Sequence, residues 1–138
     1  MNKLDDLKQI KAVDKEDMAK FMIVDDSLFQ RKNLGKFVKQ MGSEVVGEAS
    51  NGKEAIAMYQ NLDPDIVLMD LVMPEMEGID AVEKLLEIDR DAKIIVVSSL
   101  GYSEIVDKAL SLGAKQFITK PISFEETADM IRAVLEEQ

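Results

Sequence analysis

Four short apolar runs in this chain end in residues equipped for chemistry. Phe21-Met22-Ile23-Val24 runs into Asp25-Asp26, and Ile66-Val67-Leu68-Met69 into Asp70. Ile94-Ile95-Val96-Val97 runs into Ser98-Ser99, and Phe117-Ile118-Thr119 into Lys120-Pro121. Apolar runs of this length without polar alternation read as strands buried on both faces, the pattern of a parallel sheet. Ligands bind such sheets at the carboxyl ends of the strands, so three acids, hydroxyls and a lysine converge on one crevice. Crowded carboxylates raise one another's pKa unless a cation sits between them. Oxygen-only donors with water completing the shell suit Mg²⁺, with Mn²⁺ as the alternative, far better than zinc or copper. Asp70 can do more than ligate, because a carboxylate can attack phosphorus and form an acyl phosphate. The charge on the transferring oxygens then calls for a metal on one side and a cation on the other. Lys120 is the candidate cation, and Ser98 or Ser99 the candidate hydroxyl for the attached phosphoryl group. Each residue alone has a plainer reading: Asp25 and Asp26 as helix caps, Ser98 as a strand-end cap, Lys120 as a solvated lysine. Their common position at strand ends favours a site.

The elements that must hold these residues alternate regularly. After the first strand, Ser27 can cap a helix with Leu34, Phe37, Val38 and Met41 on one face. Glu44–Ala49 alternates more than the other strands, as an edge strand would. Asn51-Gly52 opens a helix carrying Ala55, Ile56, Tyr59 and Leu62, and Asp63-Pro64 closes it. A Met73-Pro74 turn leads to a helix from about Gly78 with Ile79, Val82, Leu85 and Leu86. Beyond Ser98 and a Gly101 break comes a helix with Ile105, Val106, Ala109 and Leu110, stopped by Gly113. After the strand Lys115–Thr119, Ser123 and Glu126 have the spacing of a capping box. That last helix turns Met130, Ile131, Val134 and Leu135 inward. Five strands and five helices with short connections imply an α/β domain of right-handed crossovers, its sheet covered on both faces.

The chain of 138 residues is large enough for one domain with a proper core. It has no cysteine and no histidine, which removes thiolate and imidazole chemistry and leaves carboxylates, hydroxyls and lysines. The net charge of −10 lies wholly beyond residue 20, because residues 1–20 hold five lysines and five acids. Such a surface repels nucleic acid and anionic membrane and suits a partner with a basic face. No apolar run approaches the ~20 residues of a membrane span, and no signal peptide is present, so a cytoplasmic protein is expected. Residues 1–19 stand apart as an N-terminal extension, weakly helical or disordered, with Leu4, Leu7, Ile10 and Val13 as a thin apolar stripe.

Residues 20–138 resemble the receiver domain of two-component response regulators, most of all single-domain receivers of the chemotaxis CheY type. The resemblance rests on Asp25-Asp26-Ser27, on Met69-Asp70-Leu71-Val72-Met73-Pro74-Glu75-Met76-Glu77-Gly78, on Ser98-Ser99 and on Lys120-Pro121. Any one of these is weak; in this order and at these spacings they are specific. The resemblance implies a doubly wound (βα)5, flavodoxin-like fold with a central five-stranded parallel sheet of order 2-1-3-4-5. It implies Asp70 as phosphoacceptor, with Asp25, Asp26 and the backbone carbonyl of Val72 around Mg²⁺, and Lys120 as the paired cation. Ser98 rather than Ser99 falls at the switch hydroxyl, Phe117 at the aromatic switch, and the Lys120-Pro121 bond is expected cis. The implied role is a stand-alone response regulator, phosphorylated by a histidine kinase or phosphotransfer protein and acting through protein contacts, with chemotaxis as the commonest setting. Its output surface would be the face of the last two helices and the strand between them, with Ile122, Phe124 and Lys108 as candidates. A monomer or weak dimer is expected, and no turnover beyond its own phosphorylation and autodephosphorylation. Phe117 stands where some chemotaxis members have tyrosine, and Val72 leaves the second position after Asp70 apolar, which bears on the autodephosphorylation rate.

Three other classes fit the residues less well. An aspartate-nucleophile phosphatase of the haloacid dehalogenase kind places an acid two residues after its nucleophile, and here that residue is Val72. A phosphorylation-independent adaptor would have no need of every chemical position being filled. A dinucleotide-binding domain lacks its G-x-G-x-x-G.

Overall fold

A computed structural model of the chain describes residues 18–73, 78–99 and 101–137. The helical stripe expected within residues 1–17, and the motif residues Pro74, Glu75, Met76 and Glu77, lie outside the described residues. Strands β1 (Lys20–Val24), β2 (Glu44–Ala49), β3 (Ile66–Asp70), β4 (Ile94–Ser98) and β5 (Gln116–Thr119) alternate with five helices. These are α1 (Leu28–Gln40), α2 (Gly52–Leu62), α3 (Gly78–Ile88), α4 (Glu104–Leu112) and α5 (Phe124–Glu136). All strand pairs are parallel, and the sheet order is β2-β1-β3-β4-β5. This is the expected flavodoxin-like arrangement. Strand bounds differ from expectation by one residue: Lys20 joins β1, and Lys115 stays outside β5 although its N–H bonds the Ile94 carbonyl.

Side chains of a strand point alternately to its two faces, so each apolar run supplies two cores. Met22, Val24, Val67, Met69, Ile94 and Val96 pack against α2, α3 and α4. Phe21, Ile23, Ile66, Leu68, Ile95 and Val97 pack against α1 and α5. All twelve are essentially inaccessible to solvent. The edge strand β2 stays half-buried over most of its length. Its register to β1 shifts between Phe21 and Met22, which pair with Val45 and Gly47 and leave Val46 as the extra residue of a bulge.

Ser27 caps α1 by accepting the Gln30 N–H, and Asn51 caps α2 by accepting the Glu54 N–H. Ser103 caps α4 in the same way through Val106. The capping box expected at Ser123 is not formed: Ser123 takes the N-cap position of α5, but its side chain makes no cap hydrogen bond. The C-terminal end of α5 is held from a distance instead. Lys93 Nζ donates to the carbonyls of Leu135 (3.1 Å) and Glu137 (2.7 Å), where α5 has no basic residue in its own last turn. Helix ends carry unpaired carbonyls and a partial negative charge, so a distant ammonium serves as the cap. Lys93→Ala is expected to lower unfolding stability by about 1 kcal/mol, measured by urea denaturation, with hydrogen exchange accelerated in the last turn of α5.

Candidate functional site at the carboxyl edge of the sheet

The site begins one residue past β1. The Asp25 N–H still donates to the Ala49 carbonyl of β2 (3.1 Å), so its backbone is locked to the sheet. Its side chain is buried at 1% exposure, which makes the pairing of each oxygen matter. Oδ1 accepts the Ser27 N–H at 2.9 Å, and Oδ2 accepts from Lys120 Nζ at 2.9 Å. Asp26, next in the chain, is exposed. Asp70 ends β3 half-buried, and its Oδ1 accepts the Val72 N–H at 3.1 Å. One carboxylate oxygen from each of Asp25, Asp26 and Asp70 lies within 4.8 Å of the others, the convergence expected at the ends of β1 and β3. Burial raises the Asp70 pKa above the ordinary carboxylate value. The Val72 N–H opposes that shift, Asp25 reinforces it, and Lys120 and Asp26 act more weakly in opposite directions.

Lys120 reaches this pocket because its backbone extends the sheet. Its N–H donates to the Ser98 carbonyl at 2.9 Å, one step beyond the Ser98–Thr119 pair of β4 and β5. The Lys120-Pro121 peptide is cis, as expected. Ser98 is buried at the end of β4, while Ser99 is exposed. Val72 is 59% exposed beside Asp70 and presents an apolar side chain to solvent there.

Phe117 is half-buried at β5 and meets the ring of Tyr102 edge-on, with centroids 5.9 Å apart. Tyr102 in turn donates its hydroxyl to Asp107 of α4 at 2.8 Å, a bond that raises its pKa. No periodicity or motif marks Tyr102 in the sequence. The candidates for an output surface divide. Lys108 is exposed on α4, but Phe124 packs its ring against Phe37 of α1 at 5.4 Å. Ile122 and Phe124 line a groove of about 690 Å³ with Leu34 and Phe37 of α1.

Arg31, which no motif marks either, also holds the site. Its Nη1 donates to the Asp25 carbonyl at 2.7 Å and its Nε to Glu48 Oε1 at 3.1 Å. One signal was available: a cation in the first turns of a helix faces the positive end of the dipole, an unfavourable place without a compensating partner.

Three carboxylates from two adjacent strands, one buried and one held half-buried, form an oxygen-only donor set that fits a hard divalent cation. Fold and pocket together define a flavodoxin-like α/β domain with an acidic, lysine-flanked crevice at the carboxyl edge of its sheet. Residues 21–132 match the response regulator receiver domain, and the chain belongs to that family. It is 46% identical over 113 residues to the chemotaxis protein CheY of Thermotoga maritima, an alignment covering 82% of this chain and 94% of that one. Identity to CheY of Treponema pallidum is 42% over 116 residues, covering 83% and 81% of the two chains. Among solved structures, the CheX–CheY–BeF3–Mg²⁺ complex from Borrelia burgdorferi superposes with a TM-score of 0.83 at 31% identity. That match covers 93% of this chain and 98% of that one. Among the described residues, no helix is long and apolar enough to cross a membrane.

Proposed function

We propose that this chain is a phosphorylation-driven switch of two-component signalling. It takes a phosphoryl group from a histidine kinase or phosphotransfer protein onto Asp70, and chemotaxis is its setting. The observation that carries this reading is the meeting of Asp25, Asp26 and Asp70 within 4.8 Å, with Lys120 ion-paired to Asp25 at 2.9 Å. An Asp70 oxygen attacks the phosphorus of the donor, the phosphorus–nitrogen bond breaks, and the imidazole leaves with a proton. Asp25, Asp26, Asp70 and the Val72 carbonyl would hold Mg²⁺, or Mn²⁺. Bound there, the cation neutralises charge on the phosphoryl oxygens. Asp25 is buried and held at both oxygens, so its carboxylate is preset rather than recruited. Once the acyl phosphate stands on Asp70, the Lys120 ammonium has a second anion within reach and can move its bond from Asp25 to the phosphoryl group. The buried Ser98 is the hydroxyl of the switch and Phe117 its aromatic member. Rearrangement of Phe117 disturbs the Tyr102 contact and through it α4, which leads to the surface of α4, β5 and α5 as the place where a protein partner reads the state. The Borrelia burgdorferi relative crystallised with CheX supports a protein target of this kind. The activity is that of a phosphoacceptor, without turnover of external substrates, in the cytoplasm.

The test is intact mass after incubation with acetyl phosphate, with and without Mg²⁺, for the wild type and Asp70→Asn. One phosphoryl group gained by the wild type alone, and only with Mg²⁺, is the expected result. No gain by a folded wild type overturns the switch and leaves a partner-binding adaptor. A gain that persists in Asp70→Asn moves the acceptor elsewhere.

A further inference from the structure

We propose that Arg31 is a positioning residue of the acidic pocket, fixing from behind the peptide that carries Asp25 and Asp26. The inference rests on reading that pocket as a Mg²⁺ site and names what keeps two of its ligands in place. The sheet supplies the Asp25 N–H with a partner, the Ala49 carbonyl, but the Asp25 carbonyl lies past the end of β1. That carbonyl belongs to the Asp25–Asp26 peptide, so its direction sets where both carboxylates start. Arg31 Nη1 holds it at 2.7 Å. The guanidinium is itself oriented by Glu48 of β2, which accepts from Nε at 3.1 Å. The Arg31 side chain is only 15% exposed, and its own N–H is spent on the Ser27 carbonyl in α1. The device therefore ties β2, the first turns of α1 and the acidic peptide into one rigid corner. A planar fork does this better than an ammonium, because two of its N–H groups point in set directions at once. Outer residues that orient metal ligands are worth about ten- to a hundredfold in affinity.

Coulomb's law and positioning predict opposite signs here. Arg31 is a cation close behind the pocket, so on charge alone its removal tightens binding of a divalent ion. If positioning dominates, removal weakens it. The experiment is titration of the whole chain with Mg²⁺ alone, followed by backbone amide shifts, for the wild type, Arg31→Gln and Arg31→Lys. We expect affinity to fall about tenfold in Arg31→Gln, and to fall by less in Arg31→Lys, which keeps the charge and loses the fork. Melting without metal is measured alongside. Both variants binding Mg²⁺ as tightly as the wild type, or more tightly, overturns the positioning role. A lower melting temperature with unchanged affinity also overturns it, since Arg31 would then serve folding alone. A wild type that does not titrate overturns the Mg²⁺ reading of the pocket itself, and the inference with it; in that case the wild-type titration, not the comparison of variants, is what fails.

Discussion

Asp70→Asn should abolish phosphorylation by acetyl phosphate and, in the absence of metal, melt at a higher temperature than the wild type near neutral pH. The first effect follows from losing the nucleophilic oxygen. The second follows from the company Asp70 keeps. Burial and the nearby Asp25 and Asp26 disfavour its charge more than the Val72 N–H and Lys120 favour it, so its folded pKa is raised. Between the ordinary carboxylate value and that raised value, the folded chain holds a proton that the unfolded chain has already lost. Stability from this group is therefore fully present below the ordinary range and is lost as pH rises through the folded value. Asparagine cannot ionise, and its Oδ1 can still accept the Val72 N–H. Its advantage over wild type should be absent in acid and appear as pH climbs past the window. Saturating Mg²⁺ should close the gap from the other side, adding about 1.4 kcal/mol to the wild type at tenfold excess over Kd. Thermal melts across pH, with chelator and with Mg²⁺, measure all three arms. A chelated Asp70→Asn that melts below wild type at neutral pH would show that Asp70 is held by attraction, not crowding.

Gly78→Ala is expected to destabilise the domain by about 2 kcal/mol and to slow phosphorylation as well. A methyl group on Gly78 would sit 2.1 Å from the Asp70 carbonyl oxygen and 2.4 Å from the Leu71 Cα. Both neighbours are backbone and cannot swing aside as a side-chain tip can. The Gly78 N–H also donates to the Leu71 carbonyl at 3.0 Å, so α3 is pinned against the end of β3. Alanine gains ~1 kcal/mol of helix propensity over glycine, against an overpacking cost of roughly 3 kcal/mol. The atoms that must yield belong to the acceptor residue and its neighbour. A displacement of the order of 1 Å there can cost ~100-fold in rate. Urea denaturation and the rate of mass gain with acetyl phosphate read the two effects. Wild-type stability in Gly78→Ala would mean the α3 start relaxes freely and does not constrain Asp70.

Ile131 and Val134 were legible as the inward face of α5, because a helix repeats its buried face locally and needs no partner to reveal it, whereas Met130 and Leu135, expected beside them, are only half-buried. The cap at Ser27 and the helix start at Asn51-Gly52 were legible for the same reason, as Ser27 and Asn51 each accept an N–H three residues on. Ser123 has the same local signature and does not use it, since sequence marks a competence that tertiary placement then takes up or leaves. The two-sided burial of β1, β3 and β4 was written in unbroken apolar runs, and with it the assembly of Asp25, Asp26, Asp70 and Lys120 at one edge. The set of elements and the chemistry carried at their ends follow from local pattern along the chain. Which atoms meet was decided only by the fold. Lys120 pairs with Asp25 across 95 residues, Arg31 reaches Glu48 across 17, and Gly78 lies hard against the Asp70 backbone. Long side chains at converging strand ends have several partners within reach, and the choice among them is made by three-dimensional proximity, which no periodicity along the chain encodes.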